Sequence, residues 1–456
     1  MAARVLVPGP TYREMLDPRT LPDALRRRAR EARAGELDPA NLFNITWRGP
    51  DHSVRCVALP RQLTGVEANL LVLIGRFFPS GSHKVGPAYA TLMEGELAGD
   101  IQPGVSRTIG PSTGNFGIGV AYVSRLKGYS AVVIMPERMS AERYQRIRRY
   151  GAELDLTPGS ESDVILVLER TEEYKKDPNN KVLAQFELLP NYRFHRYVTG
   201  RSALEAAEGH GNGRIAAFVA APGSAGTLAA GDEIKSRFRE CVVCALEPRE
   251  CSTLFNNGRG THRIEGIGDK MVTLIHNVLT TDYVALIHDE HCLAGLELLE
   301  RRQLQLERML ALPEGSLGCF QGLFGISGIC NIIGSIRMAR FLRLGPDDNI
   351  VTIATDGFDR YPSVLASLEE RRGPLSDAEL GGCFEEVFRA HDDKDILDVR
   401  PREQKERLFS YKEQVWAGFN YSHSYLERMK TQAFWDQEFD RIRVVDAALL
   451  SARRGA

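Results

Sequence analysis

Short apolar runs alternating with amphipathic helical stretches predict an α/β fold built on parallel sheet and ending in a mainly helical segment. Residues 131–136, 216–221, 242–246 and 350–354 are almost wholly apolar. They read as strands buried on both faces, the pattern of a parallel sheet covered by helices. A second observation is a pair of glycine-rich polar turns, Ser112 to Gly117 and Gly223 to Thr227, the latter directly behind one apolar run and ahead of a helical stretch. The third is a change after Tyr361 to charged, helical sequence carrying Trp416 and Trp435.

In chain order, residues 1–70 form an N-terminal extension with a basic helix over 21–33, whose arginines read as a solvated face. Residues 71–200 form a first domain, 201–370 a second, and 371–456 a helical C-terminal extension. The first domain carries Pro79-Ser80-Gly81-Ser82-His83-Lys84 and Ser112-Thr113-Gly114-Asn115-Phe116-Gly117; the second carries Gly223-Ser224-Ala225-Gly226-Thr227. Glycine lets backbone amides approach an anion closely, and a helix start adds partial positive charge. The first turn therefore suits a carboxylate and the second a phosphate dianion. A lysine amine that can form an imine, a carboxylate turn and a phosphate loop are together the minimum equipment for pyridoxal phosphate (PLP) chemistry on an amino acid.

Composition agrees with a soluble enzyme. The 456 residues, 43% hydrophobic and 26% charged, give room for two or three domains. A net charge of -2 offers no electrostatic reason to expect nucleic acid or an acidic membrane as partner. No apolar run is long enough for a membrane span and no signal peptide is evident, so the expected location is cytoplasmic. The cysteines read as free thiols. Cys241 and Cys244 form a C-x-x-C, but they lie in a buried strand with no second ligand pair, so core packing is the simpler reading than metal or redox chemistry.

Over residues 77–363 the motifs resemble, in order, those of the fold-type II PLP enzymes (the tryptophan synthase β superfamily), in the cysteine synthase and cystathionine β-synthase branch. Pro79 to Lys84 is similar to the family's lysine signature, and Ser112 to Gly117 to its T-S-G-N-T-G. Gln185-Phe186 with Asn191, His195, Thr199 and Gly200 is similar to its Q-F-x-N tract, and Gly223 to Thr227 to its G-T-G-G-T. Gly266-Ile267-Gly268, Gly325-Ile326-Ser327-Gly328 and Asn349 to Tyr361 complete the series. The resemblance implies two domains with PLP in the cleft between them, the smaller and mobile one carrying the lysine. It implies Lys84 as the imine-forming catalytic residue and His83 near the phosphate, with helix-start packing as the alternative for His83. Gly223, Ser224, Ala225, Gly226 and Thr227 are implied to hold the phosphate. Ala225, where the family has glycine, is compatible if its φ is negative. Asn115 is implied to meet the cofactor's phenolic oxygen. Ser112, Thr113, Gly114, Phe116, Gln185 and Gly266 are implied around the substrate, Phe116 as a bulky departure from the usual threonine. For the ring nitrogen, Ser327 is the family's hydroxyl and Asp356 its rival. Asp356 can equally be a strand-to-turn cap.

The implied activity is β-elimination or β-replacement on serine, an O-activated serine or cysteine through an α-aminoacrylate. A thiol or sulfide is the leading acceptor and a homodimer the usual assembly. A dehydratase or ammonia-lyase, or a tryptophan synthase β-like enzyme, is the alternative within this chemistry. A non-catalytic PLP-binding regulatory subunit is the alternative outside it.

Overall fold

The computed structural model describes residues 8–390 and 392–455. Its strands are β1 (Cys56–Ala58), β2 (Asn69–Ile74), β3 (Arg107–Pro111), β4 (Ser130–Pro136), β5 (Glu153–Thr157), β6 (Asn180–Val182), β7 (Ile215–Ala220), β8 (Val242–Pro248), β9 (Tyr283–Ile287), β10 (Asn349–Ala354) and β11 (Ile396–Asp398). They form two sheets. The smaller has the order β5-β4-β3-β6 and is parallel throughout. The larger has the order β1-β2-β10-β7-β8-β9-β11, parallel except for the antiparallel outer pairs β1/β2 and β11/β9.

All four apolar runs singled out in the sequence lie in β4, β7, β8 and β10, and Cys241 and Cys244 are buried thiols at β8. The domain limits drawn in the sequence need correction in two places. β2 begins at Asn69, on the limit between extension and first domain, yet pairs along its length with β10, so it belongs to the larger sheet. β11, inside the C-terminal extension, closes the same sheet against β9. Composition registers a change of local sequence, whereas sheet membership is decided by which distant strand supplies the hydrogen bonds.

The extension is otherwise helical, as expected, with helices Arg402–Trp416, His423–Arg428 and Gln432–Gly455. Its side chains reach back to earlier parts of the chain. The Trp416 indole donates to the Val272 carbonyl at 2.8 Å, and the buried Lys412 amine to the carbonyls of Leu274 and His276 at 3.0 and 2.6 Å. Arg196 donates to the carbonyl of Trp435, and Arg453 pairs with Glu14 near the N-terminus. Among the described residues no helix is long and apolar enough to cross a membrane.

Candidate active site

Strand ends set the positions of the polar groups. Lys84 follows β2 and precedes the helix Val85–Leu97, the Ser112 turn follows β3, the loop at 223–227 follows β7, and Asp356 follows β10. Ligands of open parallel sheets bind beyond the carboxyl ends of the strands, and these segments all lie there. Residues from four separate stretches of sequence thus lie at strand ends.

The Lys84 amine is buried, 3.5 Å from Ser224 Oγ of the glycine loop 223–227. Burial pulls its pKa down to about 8, against the opposing pull of Asp269 and Glu161. Within the loop, the amides of Ser224, Ala225 and Thr227 have no backbone hydrogen-bond partner among the described residues. Ala225 has φ of +64°, so the condition of negative φ under which alanine fits without strain is not met: the loop keeps a left-handed bend and the methyl is held there under strain. Gly226 packs so closely that a Cβ would lie 2.2 Å from Asn191 Oδ1. Asn191 Nδ2 also donates to Ser224 Oγ at 2.9 Å. Asn191, His195 and Thr199, spaced four apart, lie on one helical face, and the first two support the loop.

In the other turn, Ser112 Oγ accepts from the amides of Gly114 and Gly117 at 2.9 and 2.8 Å, which fixes the start of the helix Asn115–Lys127. Gly114 has φ of +147°, and a Cβ there would strike Arg143 Nε at 2.4 Å. Thr113 is buried, and Gln185 Nε2 donates to the Pro111 carbonyl at 3.4 Å. Phe116 is buried in the main apolar cluster. Gly266 has φ of +101° with open space where a Cβ would stand.

Asp356 and Asn115, 241 residues apart, meet at 2.6 Å, Asn115 Nδ2 donating to Asp356 Oδ2. The same oxygen accepts from Tyr361 OH at 2.8 Å, with Arg143 at 3.7 Å and Arg360 at 3.8 Å. Asp356 is therefore a fully buried carboxylate, paired through Oδ2 while Oδ1 has no partner among the described residues. Ser327, at the start of the helix Ile326–Phe341, is buried with no side-chain hydrogen bond among the described residues. His83 is enclosed between Trp47 and His195, ring centroids 5.5 and 5.0 Å away, with both ring nitrogens unpartnered.

Two groups escaped the sequence reading. Asp269, directly after Gly266-Ile267-Gly268, and Glu161, in the polar loop after β5, are buried carboxylates that act electrostatically on Lys84. The one available signal was an acid immediately behind a recognised glycine turn. Lone acids in loops are too common for that to register.

These residues fit a phosphate-bearing aldehyde: a buried amine of lowered pKa, a loop with free amides, and the unpartnered Asn115 Oδ1 and Asp356 Oδ1. The family pattern described as "Pyridoxal-phosphate dependent enzyme" matches residues 54–356. The chain is 34% identical over 286 residues to a cysteine synthase of Staphylococcus aureus, covering 62% of this chain and 84% of that one. It is 32% identical over 288 residues to a probable cysteine synthase of Bacillus subtilis, covering 63% and 86%. Among solved structures, an O-acetylserine dependent cystathionine β-synthase from Helicobacter pylori shares the fold with a TM-score of 0.58 at 23% identity, over 68% of this chain and 94% of that one. An O-ureido-L-serine synthase gives 0.57 at 25%, over 72% and 95%. The chain belongs to the pyridoxal-phosphate dependent enzymes and carries out PLP-dependent β-replacement or β-elimination.

Proposed function

We propose that the donor is serine, an O-activated serine or cysteine, that the acceptor is a small nucleophile of the thiol or sulfide type, and that Lys84 is the catalytic lysine. The observation that carries this reading is the buried Lys84 amine 3.5 Å from Ser224 Oγ in the glycine loop 223–227. When bound, PLP supplies the carbonyl that takes an amine and the electron sink for charge at the α-carbon. The loop 223–227 presents its amides and the Thr227 hydroxyl to the phosphate. Thr113, the Asn115 region and Gln185 orient the substrate carboxylate, with the Ser112 hydroxyl still free to donate. Lys84, its pKa drawn to about 8 by burial, takes the proton from the α-carbon once the substrate's amine replaces its own.

Ser327 is taken as the ring-nitrogen partner, since its hydroxyl has no other bond; Asp356 Oδ2 is held by Asn115 and Tyr361, and its unpartnered Oδ1 keeps the carboxylate as the rival for that place. Asp356 is then a positioning residue that fixes Asn115. The packing of His83 against Trp47 and His195 favours a structural role for it. By resemblance the assembly is a homodimer and the location cytoplasmic; light scattering tests the former. The functional reading is tested by titrating purified holoenzyme with serine, O-acetylserine, O-phosphoserine, cysteine and threonine, with and without sulfide. A change in the cofactor's visible absorption with one donor, and sulfur incorporated into the product, supports it. Protein that takes up no PLP overturns it.

A further inference from the structure

Asp269 and Glu161 are 4% and 2% exposed, and none of their four carboxylate oxygens has a hydrogen-bond partner among the described residues. Unpaired carboxylates are seldom buried, because the charged form loses its hydration without return. Lys84 is the cation that faces Asp269, and in the reading proposed above its amine is the group that the cofactor takes up. Arg143 faces Glu161, but it donates to Ser140 Oγ and Tyr361 OH and contacts Glu265. The Thr113 hydroxyl and the Gly266 amide stand beside Glu161 without hydrogen-bond geometry. Nothing in the fold accounts for these two acids.

Their placement points at the reacting carbon. The glycine turn before Asp269 is clamped on the phosphate loop: the Gly266 carbonyl lies 2.4 Å, and Asp269 Oδ2 3.6 Å, from where a Cβ on Gly223 would be. Asp269 therefore lies on the wall between that loop and Lys84. A substrate whose amine takes the place of the lysine's, and whose carboxylate lies in the Ser112 turn, directs its side chain toward this wall. Glu161 also lines a cleft of about 600 Å³ with Ser140, His262 and Glu265.

We propose that Asp269 is the acid–base group at the substrate's β-carbon, with Glu161 exchanging its protons with the cleft. The inference rests on the β-chemistry above. As Lys84 takes the α-proton, the C–H electron pair forms the bond between α- and β-carbons. The bond from the β-carbon to the leaving group breaks, and that group departs with the electron pair and the Asp269 proton. In the second half the incoming nucleophile gives its proton to Asp269 and its electron pair to the β-carbon, and Lys84 returns a proton to the α-carbon. No proton is gained or lost overall, and the nucleophile is one that arrives protonated, a neutral thiol rather than a hydrosulfide anion. Burial suits both acids to this work, raising Asp269 to about 7 against Lys84 and Glu161 to about 8 against Arg143.

The test compares two donors in holoenzyme of wild type and Asp269→Asn. One is β-chloroalanine, whose chloride leaves without a proton. The other is whichever of serine, cysteine and O-acetylserine has the most basic leaving group that wild type accepts. Asp269→Asn should slow the second donor by about 100-fold or more, and at least about tenfold more than it slows β-chloroalanine. Losses closer to each other than tenfold, or no loss, overturn the assignment. A second readout uses cofactor-free protein. A carboxyl whose pKa is raised by folding stabilises the fold at low pH and loses that contribution as pH rises toward 7. The melting temperature of wild type should fall over this range more than that of Asp269→Asn; parallel curves count against the proposal. If wild type turns over neither donor, the functional reading fails; if both are used and slowed alike, the acid–base role fails alone.

Discussion

Lys84 and Lys412 are both buried lysines whose pKa values burial pulls down, to about 8 and about 7, yet their surroundings have little in common. Around Lys412 the tail and the segment after the glycine turn are fully matched. A neutral amine has two N–H groups, and Leu274 and His276 supply two carbonyls. Around Lys84 the neighbours are a hydroxyl at 3.5 Å and carboxylates with no partners. Burial alone therefore does not mark a functional lysine. What sets Lys84 apart is the polar groups left unsatisfied beside it, a cost that a bound ligand would remove.

The strongest break of this comparison is the exchange of the two roles. Lys84→Ala should lower turnover by at least about 10³-fold and remove the visible absorption of bound cofactor, with little change in the unfolding midpoint. Retained turnover in a steady-state assay would refute its role. Lys412→Met should do the reverse, leaving two carbonyls unpaired and costing ~2–4 kcal/mol in urea unfolding, while turnover per folded molecule stays within severalfold. A larger loss of turnover would show that the tail acts on the chemistry through the segment it holds.

A smaller effect is foreseen at the ring nitrogen and its surroundings. Ser327→Ala should slow turnover by about 10- to 100-fold and Asp356→Asn by less, since the latter acts through Asn115. Isotope effects on the α-proton separate the two, and a larger slowing in Asp356→Asn would return the ring nitrogen to the carboxylate. The smallest effect is a pH dependence. A lysine whose pKa is lowered by folding adds stability as pH climbs from its folded value, about 7, toward its ordinary 10.5. Lys412→Met should flatten the rise in melting temperature between about pH 7 and 10, and an unchanged slope would mean that the amine stays charged in the fold.

Much of the candidate cofactor site was legible because the chemistry proposed for it is carried by short contiguous motifs. A glycine turn before a helix is an anion site whatever surrounds it, so Lys84, Ser112 to Gly117 and Gly223 to Thr227 could be read locally. Four of the internal strands, β4, β7, β8 and β10, were legible for a similar reason, since burial on both faces leaves an unbroken apolar run. Ala225 shows the limit: the residue type favoured negative φ, but packing of the loop against Asn191 and His195 imposed +64°.

By itself the sequence determined the α/β class, the cofactor and the residues most able to hold it, because local motifs carry backbone shape and reactive atoms together. Tertiary structure alone decided the partners of those atoms. The Asn115–Asp356 bond, the two unpaired acids beside Lys84 and the anchoring of residues 272–276 by Lys412 and Trp416 all join distant stretches of chain. Charge, desolvation and hydrogen bonding act through space over a few ångströms, and sequence separation does not measure that distance.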